Sequence, residues 1–99
     1  MAVKSQYGRW NVDTKQALLT TVITPGADYE VPLEEMTSSA RIMDWIFQVQ
    51  EKTWASATDV GDLVEAIRDI FGRSFCGGAN DAPINAKAVL SKQLGTVFP

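Results

Sequence analysis

The sequence predicts an α+β fold, in which a small antiparallel β-meander of about three strands packs with two long helices and a shorter C-terminal helix. Three observations predict this class. Short β-branched segments separated by turn residues fill the first third of the chain, two stretches of helical periodicity fill the middle, and a third follows a glycine-containing loop. A length of 99 residues suits one domain. Its parts are a sheet region (8–33), a helical pair (37–72), a third helix (82–95) and a tail (96–99).

The three strands are predicted from composition and from the turns between them. The run ALLTTVI is the clearest strand, because it is rich in aliphatic and β-branched residues. It ends at Thr24–Pro25–Gly26, where proline and glycine suit a type II turn. Pro32 places the third strand at a sheet edge or at its own end. Residues 1–8 are expected to form a loose lead-in, and the predicted strands are Arg9–Val12, Ala17–Ile23 and Tyr29–Leu33.

The first helix, about Ser38–Lys52, has apolar residues on two sides. At 100° per residue its apolar arc is roughly twice the stripe of about 100° that a surface helix needs, so both flanks are expected to be covered. The second helix covers one flank, and the sheet, the C-terminal segment or a second copy of the chain covers the other. One line holds Met36, Ala40, Met43, Phe47 and the following Trp54; the roughly opposite line holds Ile42, Trp45, Ile46 and Val49.

The other two helices show a single apolar stripe each. The second is predicted over Asp59–Phe71, with Thr58 as the N-cap and Gly72 just past its end. The third runs from about Pro83, as an early helical position, to Leu94, with Asp81 available as its cap.

Composition and charge narrow the function classes. The hydrophobic content of 45% excludes a disordered chain, and no apolar run is long enough for a transmembrane span or a signal peptide, so the expected location is the cytoplasm. The net charge of −3 is uneven: residues 28–72 carry ten acidic against three basic side chains, whereas both ends are mildly basic. The ends could fold over this acidic centre or over a neighbour's, or the centre could simply be solvated. Scattered basic residues argue against nucleic-acid binding.

Catalytic chemistry is poorly represented. The chain has no histidine, so the commonest general base and metal ligand is missing. The single cysteine, Cys76, has no imidazole partner and is expected to be a small buried side chain rather than a nucleophile. Asp62, Glu65 and Asp69 are paired by helical spacing, but on the polar face of a helix such carboxylates are usually solvated. The sequence therefore predicts no catalytic residue, no cofactor and no metal.

The remaining apolar line of the first helix suggests association. Ile42, Trp45, Ile46 and Val49 are predicted to form an interaction surface, in a homo-oligomer that is a dimer or a tetramer. Packing of Trp45 inside the monomer is the alternative, and replacing Trp45 with glutamate would separate the two.

The function hypothesis is a non-enzymatic accessory protein that acts through protein–protein contacts. One alternative is an enzyme or small-ligand binder with a carboxylate or Cys76 site. Another is an acidic mimic that inhibits a nucleic-acid-binding protein, which requires the acids of both helices on one continuous exposed face.

The central stretch also resembles a family of short bacterial proteins of unknown function, carried by plasmids, phages and integron gene cassettes. The resemblance rests on Thr37–Ala40 and the core DWIFQV (44–49), followed by Lys52, Trp54–Ala55 and VGDL (60–63), with Ala66, Ile70–Phe71 and Cys76 beyond it. It covers about a third of the chain. These are packing and capping residues, so the resemblance implies a mobile-element origin and carries over no activity.

Overall fold

A four-stranded antiparallel sheet and three α-helices make up the fold, which confirms the predicted α+β class. The structure is a computed structural model and describes residues 3–72 and 83–98. The strands lie in the order β1-β2-β3-β4, a meander with one strand more than predicted. The elements are β1 (Gln6–Tyr7), β2 (Trp10–Asp13), β3 (Leu18–Thr24), β4 (Ala27–Pro32), a 3-10 turn (Leu33–Glu35), α1 (Ser39–Gln50), α2 (Ala57–Phe71) and α3 (Ala86–Leu94).

The additional strand is β1, which lies where the sequence predicts a loose lead-in. Tyr7 pairs with Trp10 across a two-residue turn that begins with Gly8 at a φ of 59°. Glycine at this first central position is what a type II′ hairpin turn requires. Both aromatic side chains are buried. The prediction of a loose lead-in is therefore wrong for residues 6 and 7. Strand β1 is held in place by the burial of Tyr7, and it is too short to show periodicity in the sequence.

Strand β3 lies at the centre of the meander and determines which face of the sheet is covered. Leu19 pairs with Val12 of β2 on one side and with Val31 of β4 on the other. Leu19 and Thr21 are buried, whereas Val22 is exposed. This alternation shows that the helices pack on the face that carries Leu19 and Thr21.

Two turns of the sheet are formed by residues typical of turns, and the second of them was predicted. Oδ1 of Asp13 accepts hydrogen bonds from the backbone N–H groups of Lys15 and Gln16, both at 3.0 Å, as an Asx turn does. Gly26 has a φ of 83°, which fits the third position of the predicted type II turn.

The caps of the helices differ from the predicted ones in two cases. Ser38 caps α1 by accepting a hydrogen bond from the backbone N–H of Arg41. Helix α2 begins two residues earlier than predicted, because Ser56 and Asp59 form a reciprocal capping box in place of the expected Thr58 cap. Helix α3 is capped by Asn85 rather than starting near Pro83. The loop with Cys76 and Asp81 lies outside the described residues.

A single core joins the sheet to all three helices. Helix α1 contributes Ile42, Ile46 and Val49, which are essentially inaccessible to solvent. The third helix is anchored at both ends: the backbone N–H of Ile84 donates to the carbonyl of Thr37 at 2.7 Å, and the Thr96 hydroxyl donates to the carbonyl of Thr14 at 2.6 Å. Among the helices of the described ranges, none has both the length and the apolar character needed to cross a membrane.

Candidate functional site

The N-terminal segment Lys4–Arg9 is docked on the acidic flank of α2, which consists of Asp59, Asp62, Glu65 and Asp69. The Lys4 ammonium lies 3.3 Å from Glu65 Oε1, and the Tyr7 hydroxyl donates to Asp69 Oδ2 at 2.8 Å. Gly8 passes so close to the Asp62 carboxylate that any side chain there would overlap with it. The basic N-terminal end thus folds over the acidic centre of its own chain.

Arg9 is the centre of these contacts. Its Nη1 lies 3.1 Å from Asp59 Oδ2, and its Nε donates to the buried hydroxyl of Thr21 at 3.0 Å. Nη1 and Nη2 also donate to the carbonyls of Trp54 and Val22, at 3.3 and 3.1 Å. A planar guanidinium with five donors is suited to such a junction. Arg9 therefore ties strand β3, the α1–α2 connection and the first turn of α2 together.

Three aromatic rings lie beside this junction. The centroids of Trp10, Tyr29 and Trp54 are 5.3 to 6.3 Å apart, in tilted and edge-on arrangements. Trp10 Nε1 donates to the carbonyl of Asp59 at 2.9 Å. The Arg9 guanidinium lies over the Trp54 ring and the Lys52 ammonium over the Tyr29 ring, at 5.1 and 5.6 Å. These contacts account for two of the three tryptophans as structural residues.

The electrostatics of the junction favour a charged Asp59. The backbone N–H of Ser56 donates to Asp59 Oδ2 at 2.9 Å, and this bond, followed by the Arg9 guanidinium, holds the pKa of Asp59 below its ordinary value of 3.8. Burial raises the pKa of Tyr7 above 10.0, and the hydrogen bond to Asp69 acts in the same direction. Both shifts stabilise the protonation states that these groups have at neutral pH.

The three carboxylates that the sequence singled out each contact the N-terminal segment. Glu65 is engaged with Lys4 and Asp69 with Tyr7, while Asp62 lies against Gly8. Across residues 3–72 and 83–98, no group of three or more histidine, cysteine, aspartate or glutamate side chains is placed to hold a metal ion. The α2 acids face the N-terminal segment, so the acidic-mimic hypothesis, which needs them on a common exposed face with those of α1, gains no support from α2.

The predicted interaction surface on α1 is corrected by the burial of its residues. Ile42, Ile46 and Val49 belong to the core, and Trp45 is partly buried against it. The chain itself has already buried Ile42, Ile46 and Val49, which therefore cannot form a surface for a partner, so the prediction was wrong for these three residues. For Trp45, which is only partly buried, it stays a prediction. Replacing Trp45 with glutamate would also disturb the fold, and it therefore fails as a test of association.

The exposed apolar flank of α1 is formed by the other line. Phe47 lies in the last third of the helix with 52% of its surface exposed, and Met43, one turn before it, is only partly buried. We call Met43 and Phe47 the outer flank of α1. The expectation that both sides of α1 are covered thus holds for one side only, within the described part of the chain.

A signal in the sequence distinguishes the two lines. The polar sector of α1 holds Arg41, Asp44, Gln48, Glu51 and Lys52, and on a helical projection its centre lies opposite Ile46. Phe47 lies only about 40° from Glu51 around the helix. Ile42, Ile46 and Val49, which face away from the charges, enter the core, whereas Phe47, which borders them, stays at the surface.

Shallow surface depressions adjoin these features. One of about 380 Å³ lies at the α1–α2 connection and is lined by Gln50, Ala55, Ser56, Ala57 and Val60. Another, of about 490 Å³, is lined by Pro32, Glu34, Glu35, Thr37 and Arg41. Comparison with protein-family models, with curated proteins and with solved structures finds no match for this chain, so its function has to be argued from geometry.

Proposed function

We propose that this chain is a non-enzymatic protein that acts through protein–protein contacts and self-associates. The observation that carries the proposal is the exposure of Phe47 on α1, a helix whose opposite apolar line already fills the core. Aromatic side chains on a rigid element are common anchors of protein interfaces, because they bury a large area at a small cost in conformational entropy.

The position of Phe47 distinguishes it from an isolated exposed apolar residue, which is common on protein surfaces. It adjoins Met43, and the two are held on one face of a capped helix. Full burial of a phenylalanine or methionine side chain from full exposure contributes about 1.5–3 kcal/mol. Phe47 is already about half covered and Met43 is partly buried, so covering the outer flank adds a part of that driving force.

The carboxylates of α2 already form contacts within the chain, and this supports a non-enzymatic role. The acidic flank of α2 is used in contacts with Lys4, Tyr7, Gly8 and Arg9. Among the side chains that the structure describes, no buried nitrogen or oxygen atom lacks a hydrogen-bond partner. An unsatisfied buried polar group is a frequent mark of a site that awaits a ligand or a reaction.

The proposal is tested by absolute mass in solution. Light scattering behind a sizing column, over a hundredfold range of concentration, is expected to show a mass that rises above 10.8 kDa towards a multiple of it. Phe47→Ser is expected to lower this mass at every concentration. Val22→Ser is the matched control, since Val22 is exposed to a similar degree (56%) but lies on the sheet. A mass of one chain at all concentrations would contradict self-association.

A further inference from the structure

We propose that the open edge of strand β4 binds an extended peptide segment with basic side chains at alternating positions, which adds to the sheet as a fifth, antiparallel strand. Addition of a strand to a sheet edge is a common mode of peptide recognition. The proposal goes beyond the self-association of α1, since it concerns another element and a different partner. It rests on the direction of the backbone groups of β4 and on the charge of the side chains beside them.

The pairing of β4 with β3 determines which backbone groups of β4 point outwards. The backbone N–H of Leu33 donates to the carbonyl of Ala17 at 3.0 Å, in line with the register of the two strands. In an antiparallel ladder every second residue bonds to a given neighbour, so residues 29, 31 and 33 bond to β3. The N–H and C=O groups of Asp28 and Glu30 therefore point to the open edge of the sheet.

These outward groups are free to pair. Strand β4 is the last in the order of the sheet, and within residues 3–72 and 83–98 the backbone groups of Asp28 and Glu30 have no hydrogen-bond partner. Pro32 lies in the same alternate set and lacks an N–H, so it ends the edge on one side. An added strand thus has two full pairing positions, and at each of them the two residues exchange both N–H···O bonds.

The side chains beside this edge are acidic. Asp28 and Glu30 are exposed on the face of the sheet away from the helices, because Tyr29 and Val31 turn towards the core. Neither acid takes part in an ion pair within the described ranges. The paired positions on this face of the other three strands hold no basic residue; they are Gln6, Asn11, Asp13, Leu18, Thr20 and Val22.

The acids determine the side chains that a partner strand needs. In an antiparallel pair, side chains directly opposite each other lie on one face with their Cβ atoms about 4.5–5.5 Å apart, so lysine or arginine opposite Asp28 and Glu30 forms cross-strand ion pairs. The residue between them lies opposite Tyr29, and a β-branched side chain packs well against an aromatic ring. The pattern that fits is basic, β-branched, basic.

The same charges disfavour a second copy of β4 as the partner. Antiparallel pairing of two β4 strands brings Asp28 and Glu30 of one copy against those of the other, and charges of this kind protect sheet edges from association. A basic strand meets opposite charges instead, so the edge selects its partner by repulsion as well as by attraction. Lys4 and Arg9, the basic residues of the N-terminal hairpin, are already paired with acids of α2.

The short length of the edge limits the strength of the contact. A peptide loses backbone entropy when it is ordered, and exposed ion pairs contribute little. We therefore expect a dissociation constant on the order of a millimolar for a short peptide at about 0.1 M salt, with weaker binding as the salt concentration rises.

The test is a titration of the isotope-labelled chain with the blocked peptide acetyl-TKVKT-amide. Saturable changes of backbone amide chemical shifts are expected in residues 27–32, largest at Asp28 and Glu30, whose N–H groups gain acceptors. The matched peptide acetyl-TEVET-amide is expected not to bind. A TKVKT peptide methylated on both lysine backbone nitrogens keeps its charge but loses the donors that face β4, so it should bind at least about tenfold more weakly.

Charge reversal of the edge is the second arm of the test. Asp28→Lys/Glu30→Lys changes two exposed side chains and should bind the TEVET peptide in place of the TKVKT peptide. Asp44→Lys/Glu51→Lys makes the same change in net charge at exposed positions of the α1 region and should leave binding of the TKVKT peptide within about twofold of the wild type, because distant charges are screened. Urea denaturation checks that both variants are folded.

The outcomes separate strand addition from general attraction between charges. Equal binding of the methylated and unmethylated peptides, or equal loss of binding in the two charge variants, would overturn the proposal. Equal binding of the TKVKT and TEVET peptides would overturn the selection by charge on which it depends. A titration without saturable shifts, or with shifts that concentrate outside residues 27–32, would overturn it as well. None of these results bears on the mass of the chain in solution, which tests self-association separately.

Discussion

Arg9 and Asp59 join the N-terminal hairpin to the start of α2: Nη1 of Arg9 lies 3.1 Å from Oδ2 of Asp59, and the same oxygen accepts the backbone N–H of Ser56. One carboxylate thus completes the capping box of α2 and binds the residue that also holds the Thr21 hydroxyl. Capping and tertiary docking depend on each other at this point.

Replacing Arg9 with alanine is expected to lower the free energy of unfolding by about 2–3 kcal/mol, because the buried Thr21 hydroxyl and the Asp59 carboxylate lose a charged partner. Urea denaturation measures this loss. Lys15→Ala removes an exposed basic residue and is the control, with an expected change below about 0.5 kcal/mol. Equal effects of the two variants would show that Arg9 is not a structural junction.

Asp59 is expected to make stability depend on pH in the acid range. Its pKa is lower in the folded chain than the ordinary value of 3.8, so the unfolded chain binds more protons at acid pH. The resulting stabilisation is fully present above 3.8 and is lost as the pH falls through the folded pKa.

Asp59→Asn removes this contribution. The variant should therefore be less stable than the wild type at neutral pH and should approach it in strongly acid solution. Urea midpoints across this range measure the difference, and Asp28→Asn, on the exposed part of β4, is the control. A constant gap between Asp59→Asn and the wild type at every pH would contradict the assignment.

A side chain at Gly8 is expected to destabilise the fold. It has a φ of 59°, which costs an L-residue about 1–2 kcal/mol, and an added Cβ would overlap with the Asp62 carboxylate. Gly8→Ala should therefore destabilise the fold by more than the cost of the positive φ alone. The double variant Gly8→Ala/Asp62→Ala should regain the stability lost through overlap with the Asp62 carboxylate, but not the stability lost through the positive φ.

Gly61→Ala is the matched control for Gly8, because an added Cβ at Gly61 on α2 meets nothing within 4 Å. Alanine is favoured over glycine in a helix by about 0.5–1 kcal/mol, so this variant should be more stable than the wild type. Thermal or urea unfolding compares the stability of the three variants. A Gly8→Ala variant as stable as Gly61→Ala would contradict the prediction.

The two neighbouring residues Ile46 and Phe47 are expected to respond differently to truncation. Ile46→Ala opens a space in the core and should cost about 2–5 kcal/mol, whereas Phe47→Ala should change the monomer's stability by less than about 1 kcal/mol. The measurement is denaturation at a concentration low enough to dissociate any dimer. A large loss for Phe47→Ala would mean that a part of the same chain covers Phe47.

Much of this fold could be predicted from the sequence because its burial is periodic. The stripe of α2 and the β-branched run of β3 are each long enough to indicate both the element and its buried face. Strand β1 could not be predicted this way. Two residues are too few to show a periodic pattern of apolar residues, and the position of Tyr7 depends on its contact with α2. The Ser56 cap was missed although its serine and the aspartate three residues later form a recognisable capping pattern.

The candidate surface was harder to predict because α1 is apolar on two sides, and the residue types do not reveal which side the sheet and α2 will cover. Ile42 and Phe47 are equally apolar in composition. Their difference arises from the position of Asp44 and Glu51, which lie within about 60° of Phe47 around the helix and on the side opposite Ile42.

The most direct test of association through the outer flank of α1 is a dilution series followed by the backbone amide chemical shifts of an isotope-labelled chain. We expect concentration-dependent shifts to concentrate in residues 39–51, largest around Phe47, with β4 unchanged. Shifts that stay constant over a hundredfold dilution, or that concentrate in residues 27–32 at the sheet edge, would contradict it.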